Sequence, residues 1–456
     1  MIPLPLSVSI RVYPWLNAFD QARPKDVLAV TLPAMPPKTD LCPMSSITIT
    51  RPAEPIHTTI ELPRSKSAAN RALVIAALLG DVDLVQDPGN GDDTRILLEH
   101  LRERPAVMHC GAGATTFRFL LAWACCQEGE ERLITGTQRL LDRPHADLVG
   151  ALRTLGAHIE QVPEGYRVRG TRLQGGAVHF DSPISSQYLS ALLLIAPSME
   201  QGLSLRWTGT RLSEPYVHMT LKIMAHFGVF PVMELDGVRV SPGSYTAAAY
   251  TVPPDWSAAA FWYEVVALSP GAEVLLAGLD EDTLQGDREA RHLFAAWVRT
   301  TSTTDGLLLT HIDNAAPWST TQVPGRPVNL KHVPDLFQPL AFTLATRGEG
   351  ATLEGLDNLR VKETDRLKAT HDALAILGRG SSILQGTFTI TPNATDLISS
   401  DAPFDPSIDH RMAMALAPLA AVLGRVTIND PQVVDKSYPH FWNDLEHAGF
   451  AIALHA

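Results

Sequence analysis

The chain has 456 residues, and its 37 Lys and Arg against 49 Asp and Glu give a formal charge of −12. With 45% hydrophobic and 19% charged residues it is neither disordered nor collagen-like, and its acidic balance argues against nonspecific nucleic-acid binding. The longest apolar run, Met412 to Gly424, is well short of the roughly 20 residues a bilayer needs, so no integral membrane protein is expected. Cys42, Cys110, Cys125 and Cys126 form neither a disulfide framework nor a CxxC metal site, which fits a reducing, cytoplasmic setting.

In chain order, residues 1–43 come first, proline-rich, without helical period and without a basic-then-apolar leader. They read as a poorly ordered extension, or as sequence upstream of a true start at Met44. A strand-like SSITITRP follows, and then a unit recurs: a polar or charged cluster opens an apolar helical run, followed by a strand and often an amphipathic helix. The first copy is SKSAANRALVIAALL, VDLVQDP and DTRILLEHL. Others open with ATTFRFLLAWA, SSQYLSALLLIA, DWSAAAFWYEVVAL, PDLFQPLAFTLAT and DHRMAMALAPLAAVL. Six irregular copies predict an α/β protein of two lobes with three units each, too loosely spaced for a solenoid. Pro253-Pro254 is the predicted hinge between the third and fourth units.

Basic residues sit where helices disfavour them. A helix N-terminus carries partial positive charge, yet Lys66 and Arg71, Arg118, and His410-Arg411 fall in first turns. RVKETDR adds Arg360, Lys362 and Arg366, the last two like-charged at i,i+4 if helical. Amide donors and cations both favour phosphate or carboxylate, so the combination points to binding of several anions. Each element alone has a plainer reading. Ser65, Ser67 and SSQ could cap helices, VKETDR could be a solvated turn, and His410 could pair with Asp409. Gly111-Ala112-Gly113-Ala114-Thr115 lacks the GxxxxGK[ST] pattern of a nucleotide P-loop. No His/Cys/Asp grouping has zinc-like spacing, so no metal is predicted.

RSKSAANRALVIAALLG, GDDTR, GAGATTFRFLLA, SPISSQYLSALLLIAP, SEPY, VPDLFQPLA, LRVKETDRL, IDHRMAMALAPLA and VVDKSYPHFW occur in the order of one known family. From about Ser46 to the C-terminus the chain resembles the 5-enolpyruvylshikimate-3-phosphate synthases. The resemblance implies a two-lobed enolpyruvyl-transferase fold, each lobe three βαβαββ units around a cleft (an inside-out α/β barrel). Residues 65–252 would form the first lobe, on the shikimate 3-phosphate side. Residues 44–64 with 253–456 would form the second, on the phosphoenolpyruvate and acid/base side. The implied reaction moves the enolpyruvyl group of phosphoenolpyruvate to the 5-hydroxyl of shikimate 3-phosphate and releases phosphate, by addition and elimination. It is a step of the shikimate pathway to chorismate and aromatic amino acids. No cofactor or metal is implied, and a monomer is expected.

By the same resemblance Lys66, Ser67 and Arg71 would contact shikimate 3-phosphate, Lys66 also reaching phosphoenolpyruvate. Ser185 and Ser186 would hold the 3-phosphate with Ser213 and Tyr216, and Gln187 would lie between the substrates. Asn358 and Lys362 would touch the shikimate side. Arg143, Arg366 and Arg411 would clamp phosphoenolpyruvate, Ala114 and Thr115 would line its pocket, and Lys436 would reach its phosphate. Glu363 would protonate carbon 3 and Asp335 would orient and deprotonate the 5-hydroxyl, with Lys66 and Lys436 also in the catalytic set.

Three positions depart from the pattern. Arg64 replaces a glycine before the first helix. Ala112 replaces an asparagine donor, and Ala114 a pocket glycine. Alanine there is associated in the family with insensitivity to glyphosate, a longer mimic of phosphoenolpyruvate. Two alternatives stay open: the sister transferase acting on UDP-N-acetylglucosamine, whose loop cysteine motif is absent here, and an inactive phosphate-ligand binder.

Overall fold

A computed structural model of the chain describes residues 45–209, 213–281, 283–318, 326–399 and 402–455. The expected extension over residues 1–43 and the start at Met44 lie outside these. Within them the strands form six sheets, matching the six predicted units in number. Four of the sheets have four strands and share one topology: a parallel pair, then an antiparallel hairpin on one side of it. In one, Val107–His109 runs parallel to Glu131–Thr135, which pairs antiparallel with Gly165–Arg169 and through it with His158–Val162. The sheets built on Gly176–Asp181, His57–Ile60 and Val328–Asn329 repeat it. In three of these sheets a helical segment joins the parallel pair, because parallel strands cannot be joined by a tight turn, while residues 61–272 intervene between His57–Ile60 and Glu273–Ala277.

The crossing helices are apolar nearly all round, as helices buried between layers must be. Two separate hydrophobic cores result. One takes Ala68 to Val252, with Trp123, Phe117 and Tyr188 fully buried. The other takes Ile47 to Leu62, then Trp256 to Phe450. The chain therefore crosses between cores twice, at Pro63-Arg64-Ser65 and at Pro253-Pro254-Asp255. The crossings lie side by side: Ser65 N donates to Pro253 O (2.8 Å) and Asp255 N to Pro63 O (2.9 Å). Prolines lack an N–H, so here they serve as acceptors. Arg64, the unexpected residue, donates from Nε to Asp87 Oδ2 at 2.5 Å.

One core residue is out of character. Glu264, in the helix Trp256–Leu268, is fully buried and neither carboxyl oxygen has a hydrogen-bond partner. Burial alone pushes its pKa well above the usual carboxylate range, so it is held as the neutral acid. Its folded-state pKa lies above its unfolded one, so stability is full in acid and falls as pH rises past the ordinary carboxyl range. One such group sets a slope of at most about 1.4 kcal/mol per pH unit. Denaturant unfolding between pH 5 and 8 should show this slope in the native chain and a shallower one in Glu264→Gln. Equal slopes would refute it.

Candidate active site

Helix N-termini meet at one cleft of about 1000 Å³. Helices starting at Lys66, Ala114, Ser186 and His410 bring Lys66, Ser67 and Arg71; Ala114, Thr115 and Arg118; Ser186 and Gln187; and His410 and Arg411 into its wall. None of these four has an acidic residue in its first turn, and the first two have no side-chain cap. Their open N–H groups add to the positive potential of the wall. The loop before the helix Ala114–Cys125 packs tightly. A side chain at Gly113 would come 2.7 Å from Asp93 Oδ1, while Thr116 Oγ1 donates to the Asp93 carbonyl at 2.7 Å.

Two carboxylates organise the cations. Asp335 accepts from Arg366 Nη1 and Arg411 Nη2, both at 2.9 Å, and from Tyr216 OH at 3.2 Å. Glu363 accepts from Lys436 Nζ at 2.8 Å and Arg366 Nη2 at 3.1 Å. Arg366 is further held by buried Asp409, Nε to Oδ2 2.6 Å. Burial alone would raise both acids. For Asp335, Arg411, Lys362, Arg366 and Lys66 outweigh it; for Glu363, Lys436, Arg366 and Arg143 do, and both are held ionised, well below the usual range. Lys66 pairs with Asp93 at 3.0 Å. Seven Lys and Arg line the cleft against three carboxylates, an excess of four charges, or five with Lys436.

The side chains of Arg143 and Lys362 have no hydrogen bond or ion pair among the described residues, and the buried Nε of Arg143 and Oδ1 of Asn358 are unsatisfied. Unpaired polar atoms aimed into a cleft await a ligand, since leaving them bare costs about 1–3 kcal/mol each. His410 is buried with neither ring nitrogen hydrogen-bonded, although Nδ1 lies 3.6 Å from Asp409 Oδ1. Burial first, then Lys66 and Arg411, holds it neutral.

All but one of the predicted site residues line the cleft: Lys66, Ser67, Arg71, Ala114, Thr115, Arg143, Ser185, Ser186, Gln187, Ser213, Tyr216, Asp335, Asn358, Lys362, Glu363, Arg366 and Arg411. Lys436 is not part of the wall and reaches Glu363 and the Ala112 carbonyl (3.1 Å). Some plainer readings hold as well. Ser185 caps its helix by accepting from Gln187 N, and Glu363 does pair with Arg366. VKETDR is not a single helix: Lys362 is extended, between a short turn ending at Val361 and the helix from Arg366. The helical i,i+4 geometry therefore does not arise, although the Arg366 charge still disfavours a proton on Lys362. Arg118, marked in the sequence only as a cation near a helix start, and Asp93 of GDDTR had no site role of their own. Arg118 Nη1 donates to Gln187 Oε1 (2.5 Å), and Gln187 Nε2 to Thr115 Oγ1 (2.7 Å), so it holds the amide in place. A cation close to a helix start was the available sign for Arg118, and the GDDTR motif for Asp93.

A family model described as EPSP synthase (3-phosphoshikimate 1-carboxyvinyltransferase) matches residues 100–445. The chain is 39% identical over 411 residues to the 3-phosphoshikimate 1-carboxyvinyltransferase of Bacteroides fragilis strain YCH46, covering 88% of this chain and 97% of the relative. It is 32% identical over 425 residues to that of Methanoculleus marisnigri, covering 87% and 97%. It shares its fold with an EPSP synthase from Acinetobacter baumannii, TM-score 0.68 at 21% identity, over 90% of this chain and 100% of that one. The chain belongs to the EPSP synthase family.

Burial first, partly opposed by Asp335, lowers Lys362 to about 8. Its charge is therefore lost as pH rises through that value. Calorimetric binding of inorganic phosphate should weaken between pH 7 and 9 in the native chain. Lys362→Arg, always charged, should remove that step; an unchanged profile would contradict it.

Proposed function

We infer that this chain transfers the enolpyruvyl group of phosphoenolpyruvate to the 5-hydroxyl of shikimate 3-phosphate, releasing phosphate, in the shikimate pathway. The observation that carries the reading is a cleft with an excess of positive charge in a chain of net charge −12, within this family. Two phosphorylated anions supply the missing negative charge, and the low-dielectric wall strengthens each contact. Ser185, Ser186, Ser213 and Tyr216 would hold the 3-phosphate, with Lys66, Ser67, Arg71, Asn358 and Lys362 on the rest of that substrate. Arg143, Arg366, Arg411 and Lys436 would clamp phosphoenolpyruvate, whose guanidinium partners offer paired donors to carboxylate and phosphate oxygens.

Lys436, Arg366 and Arg143 hold Glu363 ionised against its burial, so a proton-donor role needs a change on binding. Phosphoenolpyruvate would draw Lys436, Arg366 and Arg143 onto itself and bring its own negative charge close. Both effects raise the carboxyl's affinity for a proton. Glu363 would then protonate carbon 3 while the 5-hydroxyl oxygen bonds to carbon 2, its proton passing to Asp335. Glu363, now a carboxylate, would take a proton back from carbon 3 as the bond from carbon 2 to the phosphate oxygen breaks and phosphate departs, with no covalent enzyme intermediate. Neither step calls for a cofactor. A monomer working in the cytoplasm suits this reading; no helix among the described residues is long and apolar enough to cross a membrane.

A coupled phosphate-release assay with the two substrates tests the reaction. Turnover supports it; no turnover with shikimate 3-phosphate but turnover with UDP-N-acetylglucosamine, or binding alone, overturns it. Glu363→Gln and Asp335→Asn should each lower kcat about 10²–10⁴-fold with smaller changes in KM. Ala114 is buried in the wall, and its methyl would narrow the space for a longer mimic of phosphoenolpyruvate. Ala114→Gly should therefore lower the inhibition constant for glyphosate. An unchanged constant would rule out the steric account.

A further inference from the structure

Among the contacts that join the lobes, such as Asn90 Nδ2 with His440 Nε2 at 2.9 Å, two place a glycine of one lobe against the other. Gly286 precedes Ala290 and Leu293 of the second core, while Pro215 begins the helix Glu214–His226 that packs into the first. A side chain at Gly286 would stand 2.8 Å from Pro215 Cβ and 3.1 Å from its Cγ. At the second contact Gly91 caps the helix Asp92–Glu103 of the first core, and Ser437 lies between Val434 and Tyr438 of the second. A side chain at Gly91 would stand 3.0 Å from Ser437 Cα and 3.1 Å from the Lys436 carbonyl.

Neither glycine is required by the backbone. Gly91 has φ −62 and ψ 143, and Gly286 is outside the positive-φ glycines, so alanine could adopt either conformation. What a methyl group would meet is the opposite lobe: at Gly286 something must shift, and at Gly91 the facing main chain must give by a few tenths of an ångström. Both contacts also adjoin working residues. Gly91 lies two positions before Asp93, the partner of Lys66, and faces Lys436; Pro215 lies between Ser213 and Tyr216, which bond across the cleft to the Lys331 carbonyl (2.8 Å) and Asp335.

We propose that Gly91 and Gly286 are the stops that set how closely the two lobes approach, and so position the cations and carboxylates of one lobe on the substrate held by the other. The hinge at Pro63-Arg64-Ser65 and Pro253-Pro254-Asp255 allows the swing, and these two bare backbones let it finish. Gly286 meets a rigid proline ring and Gly91 a main chain, so neither neighbour can rotate out of the way. The proposal rests on the two-substrate reaction inferred above.

The test compares native chain, Gly286→Ala, Gly91→Ala and the control Gly150→Ala, whose methyl would meet nothing within 4 Å. Small-angle scattering with and without saturating shikimate 3-phosphate and phosphoenolpyruvate reads closure, phosphate release reads turnover, and melting reads the fold. Native chain and control should contract. Gly286→Ala and Gly91→Ala should contract less, with kcat/KM lower for both substrates by at least about tenfold, since an ångström of misplacement costs up to about a hundredfold. Their melting should be unchanged. Contraction and turnover equal to the native chain would overturn the proposal. If Gly286→Ala also melts lower, Gly286→Ala with Pro215→Gly decides: recovered turnover sustains the stop, and no recovery refutes it. A native chain that contracts but releases no phosphate would overturn the reaction and leave the stops standing.

Discussion

Everything in this molecule is arranged around uncompensated positive charge in a half-enclosed cleft. Like charges gathered away from bulk water repel and lose solvation, so they persist only where the fold pins them and a ligand removes the excess. The pinning is visible. Asp335 holds Arg366 and Arg411, Glu363 holds Lys436 and Arg366, and Asp93 holds Lys66. The carboxylates are too few to neutralise the set, and Arg143 and Lys362 are left unpaired.

The fold supplies this arrangement by repetition. Several units start a helix at the cleft, so the same geometry delivers helix N-termini and side chains near them from several directions. Division into two cores matters as much. The two carboxylates are anchored to the second core while Lys66, Arg118 and the SSQ segment stand on the first. The complete site exists only when the cores are brought together, through two adjacent crossings and the contacts between the lobes.

Much of this was legible in the sequence. Cations in first turns contradict the helix dipole, and the contradiction marked Lys66, Arg118 and Arg411 before any contact was known. Paired prolines marked the crossing at Pro253-Pro254 because they serve neither helix nor sheet interior. Other features depend on distant pairing that no local pattern carries. Val85–Gln86 lies beside Tyr250–Thr251 across most of the first lobe's length. Asp93 reads as an ordinary helix-start acid until Lys66 is found 3.0 Å away. Gly91 and Gly286 look like turn glycines, and only the facing lobe shows what they make room for. In VKETDR the like charges are i,i+4 neighbours only if the segment is helical, and Lys362 is extended instead.

The central claim is that one cleft neutralises two separate phosphate-bearing anions at once. A crystal structure of the chain soaked with shikimate 3-phosphate and inorganic phosphate tests it most directly. The account predicts two phosphorus positions in the same cleft, one against Ser185, Ser186 and Ser213 and the other against Arg143 and Lys436. A single occupied position, or a second phosphate bound away from those cations, would contradict it.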